Sequence, residues 1–193
     1  MFTGTLDFLS FGGMGNITRR LLDLPDSLHF RRLVFSWHYQ EDLHWMEELL
    51  AACSDTLECL EILHNPSVHT SLTSINLSKA TKLRAATFRA LSLSVAWITM
   101  ALQTISPRHQ DLRQISIHAC HDLALATIDA NMMQSFGGQW LDLDRLLVQL
   151  WESRSIQTKL MHVTPVQETQ DMGEQVGRWL PEATERGIID LVE

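Results

Sequence analysis

The sequence predicts an α/β protein, a right-handed solenoid with about five to seven parallel strands on its concave face and helices on its convex face. Three observations lead to this prediction. A strand-like pattern of apolar residues returns at a nearly constant interval, and helical patterns fill the intervals. Each element also has an apolar side that only stacking on its neighbours can bury.

The repeat frame is defined by five matches to one pattern, with apolar residues at positions 1, 4 and 6 and a turn residue at position 9. Thr3 fits the first position of the first match poorly, and Phe11, His38 and Leu91 depart from the pattern at the ninth position. The matches start at residues 3, 30, 57, 83 and 112, so the steps are 27, 27, 26 and 29 residues. The best match runs from Leu112 through Ile115 and Ile117 to Cys120. Near-constant register over five matches indicates a true repeat.

Between and after these strands, the apolar spacing predicts further elements. Helices are expected at 16–22, 42–53, 92–105, 141–153 and 173–179, and later strands at 158–163 and 188–192. Trp97 and Trp151 fall on apolar helix stripes and are expected in the core. Residues 64–82 do not follow the frame and are interpreted as an irregular crossing with a short extended piece.

The chain is interpreted as one domain over residues 1–193, with regular repeats in 1–123 and less regular units and a cap in 124–193. The first strand begins within a few residues of Met1, which leaves its edge open. We therefore expect that either an upstream segment or a partner covers this edge.

Composition excludes several classes of protein. A net charge of -8 and a pI near 5.5 argue against nucleic acid and against a membrane surface, since both favour clustered Lys and Arg. Three cysteines are too few for a disulfide framework, and an odd number cannot all be paired. No apolar run is long enough to span a membrane. A cytoplasmic or nuclear protein is expected.

The repeat resembles the leucine-rich repeat, which uses Asn or Cys at the ninth position, where this chain has Asn65 and Cys120. The cysteine variant is similar to that of F-box/leucine-rich-repeat proteins. Over nearly the whole chain, the amino-acid sequence resembles those of a large set of uncharacterised F-box-like proteins of mushroom-forming fungi. Four stretches carry this likeness: LPDSLHFRRLVFSW, CSDTLECLEI, DLRQISIH and LDRLLVQLWESRSI.

The resemblance implies a non-enzymatic interaction scaffold, whose repeats would recruit the substrate of an F-box-type ubiquitin ligase. In that family, an N-terminal F-box docks the ligase adaptor. This chain shows no F-box, because its only Leu-Pro-Glu, at Leu180 to Glu182, has too few residues behind it. Membership of a ubiquitin ligase is thus expected by analogy alone.

A small enzyme or ligand-binding protein is the alternative hypothesis, using the Gly12–Gly15 turn or the histidines. The turn precedes a predicted helix, but it lacks the Lys-Ser/Thr of a phosphate loop, and Thr18 replaces the third glycine of a dinucleotide site. His118, Cys120 and His121 have no second ligand pair at zinc-site spacing. No catalytic, cofactor or metal residue is predicted, and no cofactor is expected.

The concave strand face is the predicted binding surface for a protein partner, whose identity the sequence leaves open. Strand alternation places Arg32, Glu61, Arg89 and His118 on this face. Trp37, followed by His38 and Tyr39, is expected just after a strand as part of a loop-borne aromatic cluster of the kind enriched in interfaces.

Overall fold

The computed structural model describes residues 5–7, 14–23, 29–37, 40–64, 75–90, 95–120, 130–163 and 172–192. Strands alternate with helices through most of this chain. In order, the elements are β1 (Thr5–Asp7), α1 (Met14–Leu22), β2 (Arg32–Trp37), α2 (Gln40–Ala52), β3 (Cys59–His64), β4 (Ala85–Ala90), α3 (Ala96–Gln103), β5 (Gln114–Cys120), α4 (Ala130–Arg154), β6 (Gln157–Val163), α5 (Met172–Trp179), α6 (Pro181–Glu185) and β7 (Ile189–Val192).

The strands form one sheet in which every pair is parallel and the spatial order equals the chain order, β1 to β7. The predicted register is confirmed, because Leu33, Leu60, Ala86 and Ile115 lie side by side on four consecutive strands. The α/β class with a parallel sheet is therefore confirmed. The sheet is neither closed nor curled, so the solenoid form remains a prediction.

The core lies between one face of this sheet and the helices. Alternate strand residues such as Phe35, Ile62 and Phe88 are completely buried and join one apolar cluster with helix residues such as Met46 and Ile98. Burial of this kind stabilises a fold by about 1.5–3 kcal/mol for each large apolar side chain. The opposite strand face mixes charged, polar, small and a few apolar residues, the last including Val34 and Leu63.

The residue before each strand extends the hydrogen-bond ladder by one position. The carbonyl of this residue accepts hydrogen bonds from two N–H groups at the start of the next strand. The same arrangement is found at three successive strand pairs. Arg31 O accepts from Glu58 and Cys59, Glu58 O from Arg84 and Ala85, and Arg84 O from Arg113 and Gln114. The period read from the sequence is thus a repeated local geometry.

Helix α4 connects the later helices through its side chains. Gln139 Oε1 accepts from the backbone N–H groups of Val95 and Ala96, both at 3.2 Å, at the start of α3. Trp140 of α4 stacks on Trp179 of α5, with ring centroids 5.0 Å apart. Since the first N–H groups of a helix have no partner within it, Gln139 supplies a cap from a remote element.

Several predicted boundaries were wrong. Helix α4 starts about three turns before residue 141, and residues 181–185, for which no helix was predicted, form a short one. Of the irregular crossing predicted at 64–82, His64 is the last residue of β3, and the described residues 75–82 contain no strand. Trp97 is buried as predicted, but Trp151 is 38% exposed, because the buried stripe of α4 follows Leu143, Leu147 and Leu150 instead.

Candidate interaction surface

The polar face of the sheet, called the open face below, carries the predicted partner-binding residues of the central strands. The register sets Arg32 beside Cys59, Glu61 beside Thr87, and Arg89 beside His118. The arginine side chains of this face are 53% and 42% exposed for Arg32 and Arg89 respectively. Their guanidinium groups are therefore accessible from solvent.

Glu61 on β3 brings two arginines together. Arg32 Nη2 donates to Glu61 Oε2 at 3.2 Å, and Arg89 Nε lies 2.6 Å from Glu61 Oε1. The second contact is an ion pair without an aligned hydrogen bond, since the Nε–H of Arg89 has no acceptor in good geometry. One carboxylate, 18% exposed, thus lies between two cations, and these three residues are called the Arg–Glu–Arg cluster.

His118 lies on the same face but is only 7% exposed. A histidine that is accessible to a partner, as the sequence predicted, would be more exposed than this. Burial lowers its pKa below the ordinary value of 6.5, the nearby Arg89 guanidinium lowers it further, and the Glu61 carboxylate acts in the opposite direction. Desolvation disfavours a charged ring, as does a neighbouring cation. His118 is therefore a neutral neighbour of the cluster near pH 7.

Trp37 is the last residue of β2 and pairs in register with His64, so the prediction that it follows the strand was wrong. Its side chain lies outside the described part of the structure, as do His38 and Tyr39. The aromatic cluster consequently stays a prediction.

Sequence reasoning missed two further groups of charges. Lys159 on β6 is half-buried and lies in the same cross-strand row as Glu61. At the strand starts, Glu58 approaches Arg31 at 3.9 Å and Arg84 at 3.4 Å. The charges at the strand starts could have been predicted from the sequence, because the second position of the repeat frame is charged in the matches that contain Arg31, Glu58 and Arg84.

The strand-start charges line a shallow groove of about 160 Å³. The groove also contains one lysine and two aspartates, Lys82, Asp55 and Asp111. Positive and negative side chains are therefore equal in number there. The excess of positive charge belongs to the open face, where two arginines share one carboxylate.

The other predicted sites gain no geometry from the structure. Gly12, Gly13 and His121 lie outside the described residues, while Met14 and Gly15 begin helix α1. In the described ranges, no three His, Cys, Asp or Glu side chains lie together in a way that could hold a metal ion. Burial raises the pKa of the Cys53 thiol, and a backbone hydrogen bond with Phe30 partly offsets this, so a reactive thiolate is disfavoured.

His109 has a structural role. The ring is 1% exposed, its Nε2 lies 2.9 Å from Leu77 O, and its Nδ1 lies 3.1 Å from the N–H of Ser106. The Leu77 carbonyl is placed to accept a hydrogen bond from Nε2. His109 thereby ties the irregular crossing to the turn before β5.

None of the described helices combines the length and the apolar character needed to cross a membrane. Comparison with protein-family models, with curated proteins and with solved structures found no match to this chain. The functional argument therefore depends on the chain's own residues.

Proposed function

We propose that the protein is a non-enzymatic interaction scaffold, a leucine-rich-repeat solenoid that binds a protein partner through the open face. The observation that carries this proposal is the Arg–Glu–Arg cluster, which lies on three neighbouring strands, β2 to β4, within a regular parallel sheet. A rigid sheet fixes the spacing of such side chains before a partner arrives, which lowers the entropic cost of binding.

The cluster is better explained by recognition than by stability. Arg32 and Arg89 are each about half-exposed, and exposed ion pairs typically contribute about 0–1 kcal/mol to folding. Arginine is enriched in interfaces because one guanidinium group offers five donors in a fixed plane. An accessible pair of arginines on a flat face therefore suits a binding surface.

The resemblance to F-box/leucine-rich-repeat proteins supports a more specific role, the recruitment of a substrate to a ubiquitin ligase. In that role, the captured partner would become ubiquitinated. We expect the ubiquitination of the partner in cells to rise with the level of this protein, and an unchanged level would contradict the ligase role while leaving the scaffold proposal in place.

Affinity purification with matched arginine variants tests the scaffold proposal. The open-face variant Arg32→Ala/Arg89→Ala is compared with Arg145→Ala/Arg186→Ala, which removes two arginines that are paired with Asp142 and Glu152 on helices or their ends. Both double variants remove two half-exposed or exposed, ion-paired cations, so their change in net charge is the same.

We expect quantitative mass spectrometry to show a partner whose recovery falls at least fivefold with the open-face variant and stays unchanged with the helix-side variant. Equal recovery with all three proteins would contradict the proposal. Far-ultraviolet circular dichroism of each variant shows that a loss of recovery is not a loss of fold.

A further inference from the structure

We infer that the open face recognises an acidic segment of its partner, in which carboxylates compete with Glu61 for the guanidinium groups of Arg32 and Arg89. This inference rests on the proposed function and specifies the chemistry of the partner. It is carried by three features of the described residues: the distribution of charge, the unused donors of the cluster, and the spacing of the strands.

Positive charge is concentrated on the sheet side of a chain whose net charge is -8. Within strands β2 to β6, the charged residues of the open face are three cations, Arg32, Arg89 and Lys159, and one acid, Glu61. The edge strands contribute Asp7 and Asp190 at the margins of the sheet. The central strands therefore attract an anion, whereas exposed acids such as Glu47 and Glu48 on α2 repel one from the helices.

The cluster keeps most of its donors available. Each guanidinium group has five N–H donors. Glu61 accepts one aligned hydrogen bond from Arg32, and its contact with Arg89 is unaligned. Both arginines are held near one point while their remaining donors are free to meet a carboxylate, and arginine binds carboxylates with paired, charge-assisted hydrogen bonds.

The spacing favours an extended peptide over a nucleic acid. Arg32 and Arg89 are on strands separated by β3, and the register places Arg32 in the same cross-strand row as Ala85, four residues before Arg89 on β4. Their backbones therefore lie about 16 Å apart on a diagonal, and their side chains converge on Glu61 between them. Alternate residues of an extended peptide point the same way and lie about 7 Å apart, which fits two converging guanidinium groups. A continuous polyanion would instead also meet Asp190, an exposed acid on β7 at one margin of the sheet.

Fluorescence anisotropy with a labelled peptide of alternating Glu and Ser tests the inference, with the matching Gln and Ser peptide as the control probe. We expect the Glu peptide to bind, the Gln peptide to bind at least tenfold more weakly, and added salt to weaken the Glu complex. Arg32→Gln and Arg89→Gln should each raise the Kd about tenfold. Arg145→Gln, on the helix side, should leave the Kd unchanged.

Glu61→Gln distinguishes recognition from a structural role. If Glu61 competes with the peptide, its neutral variant should bind the Glu peptide severalfold more tightly, whereas a purely structural Glu61 would give weaker binding when replaced. Unfolding midpoints in urea for all variants show whether each remains folded. No binding of the Glu peptide, equal losses with Arg145→Gln, or tighter binding of a single-stranded oligonucleotide would overturn the inference.

The two proposals fail separately in these experiments. If purification recovers a partner through Arg32 and Arg89 but the Glu peptide does not bind, the scaffold stands and the acidic partner is rejected. If neither a partner nor the peptide depends on these arginines, both proposals are rejected.

Discussion

Among single residues, Asp144 shows how a buried carboxyl group can be hydrogen-bonded by backbone groups of a remote element. The side chain is 1% exposed, and its two oxygens accept from the N–H groups of Glu182 and Ala183, both at 2.9 Å. These groups begin α6, where Leu180 provides no side-chain cap. Asp144 thus caps a helix through residues that follow it by 38 and 39 positions. Local sequence could not predict this, because cap rules concern the residue beside the helix.

Asp144→Asn replaces one accepting oxygen with a donor group that faces a backbone N–H. We expect a loss of about 1–3 kcal/mol in the free energy of unfolding, measured by urea denaturation. Asp142→Asn is the matched control on the same helix, since its carboxylate is 66% exposed and pairs with Arg145, and it should cost no more than about 0.5 kcal/mol. Equal losses would show that Asp144 is not a cap.

His118 predicts a pH dependence of stability. Its folded pKa is lowered below 6.5, so the folded state binds fewer protons than the unfolded state between the lowered value and 6.5. Stability is consequently full above pH 6.5 and decreases as the pH falls toward the folded pKa. His118→Gln should remove this part of the decrease, measured as the difference between unfolding free energies above and below pH 6.5.

The exposed histidine of α2, His44, provides the control for this pH measurement. His44→Gln should leave the pH dependence of the wild type in place. A His118→Gln protein that loses as much stability on acidification as the wild type would contradict the assignment of this effect to His118.

Among the elements, the ends and lengths of helices depended on interactions that periodicity does not report. Helix α4 continues upstream across Gly137 and Gly138, although each glycine costs about 1 kcal/mol in a helix. Its neighbour Trp140 is 1% exposed and stacks on Trp179. Tertiary packing therefore outweighs the local preference, and the sequence pattern located only the part of α4 after residue 140.

The C-terminal end of α4 contains a conformation that suits glycine. Ser155 has a φ of 57°, and its N–H donates to Trp151 O at 2.7 Å. A left-handed residue other than glycine costs roughly 1 kcal/mol. Ser155→Gly should therefore raise the free energy of unfolding by about 0.5–1 kcal/mol in urea denaturation.

Ser153, two residues earlier, is exposed and lies within the helix. Ser153→Gly should lower stability by about 0.5 kcal/mol, because glycine has the lower helix propensity. The two serine-to-glycine substitutions are thus expected to act in opposite directions. A destabilising Ser155→Gly would contradict the assigned helix end.

In the whole molecule, the sequence period was enough to predict the order and register of β1 to β5, but not the register of β6 and β7. A nearly constant step of 26–29 residues brings equivalent positions of neighbouring strands side by side. Strand alternation was then enough to assign Arg32, Glu61 and Arg89 to their cross-strand rows on the open face. The cluster itself could not be predicted, because side chains from two different rows meet at Glu61 through their rotamers. The burial of His118 was likewise missed, since alternation assigns a face but not an exposed fraction.

Site-resolved photo-crosslinking tests the central claim, that the open face is the partner surface, most directly. A photoreactive amino acid replaces Thr87, which lies between Glu61 and Ser116 on the open face, or Gln149, an exposed residue of α4. In cells that express the protein, we predict that Thr87 crosslinks to a partner within an acidic segment, and that Gln149 does not capture that protein. Capture of the same partner from Gln149 with none from Thr87 would contradict the account.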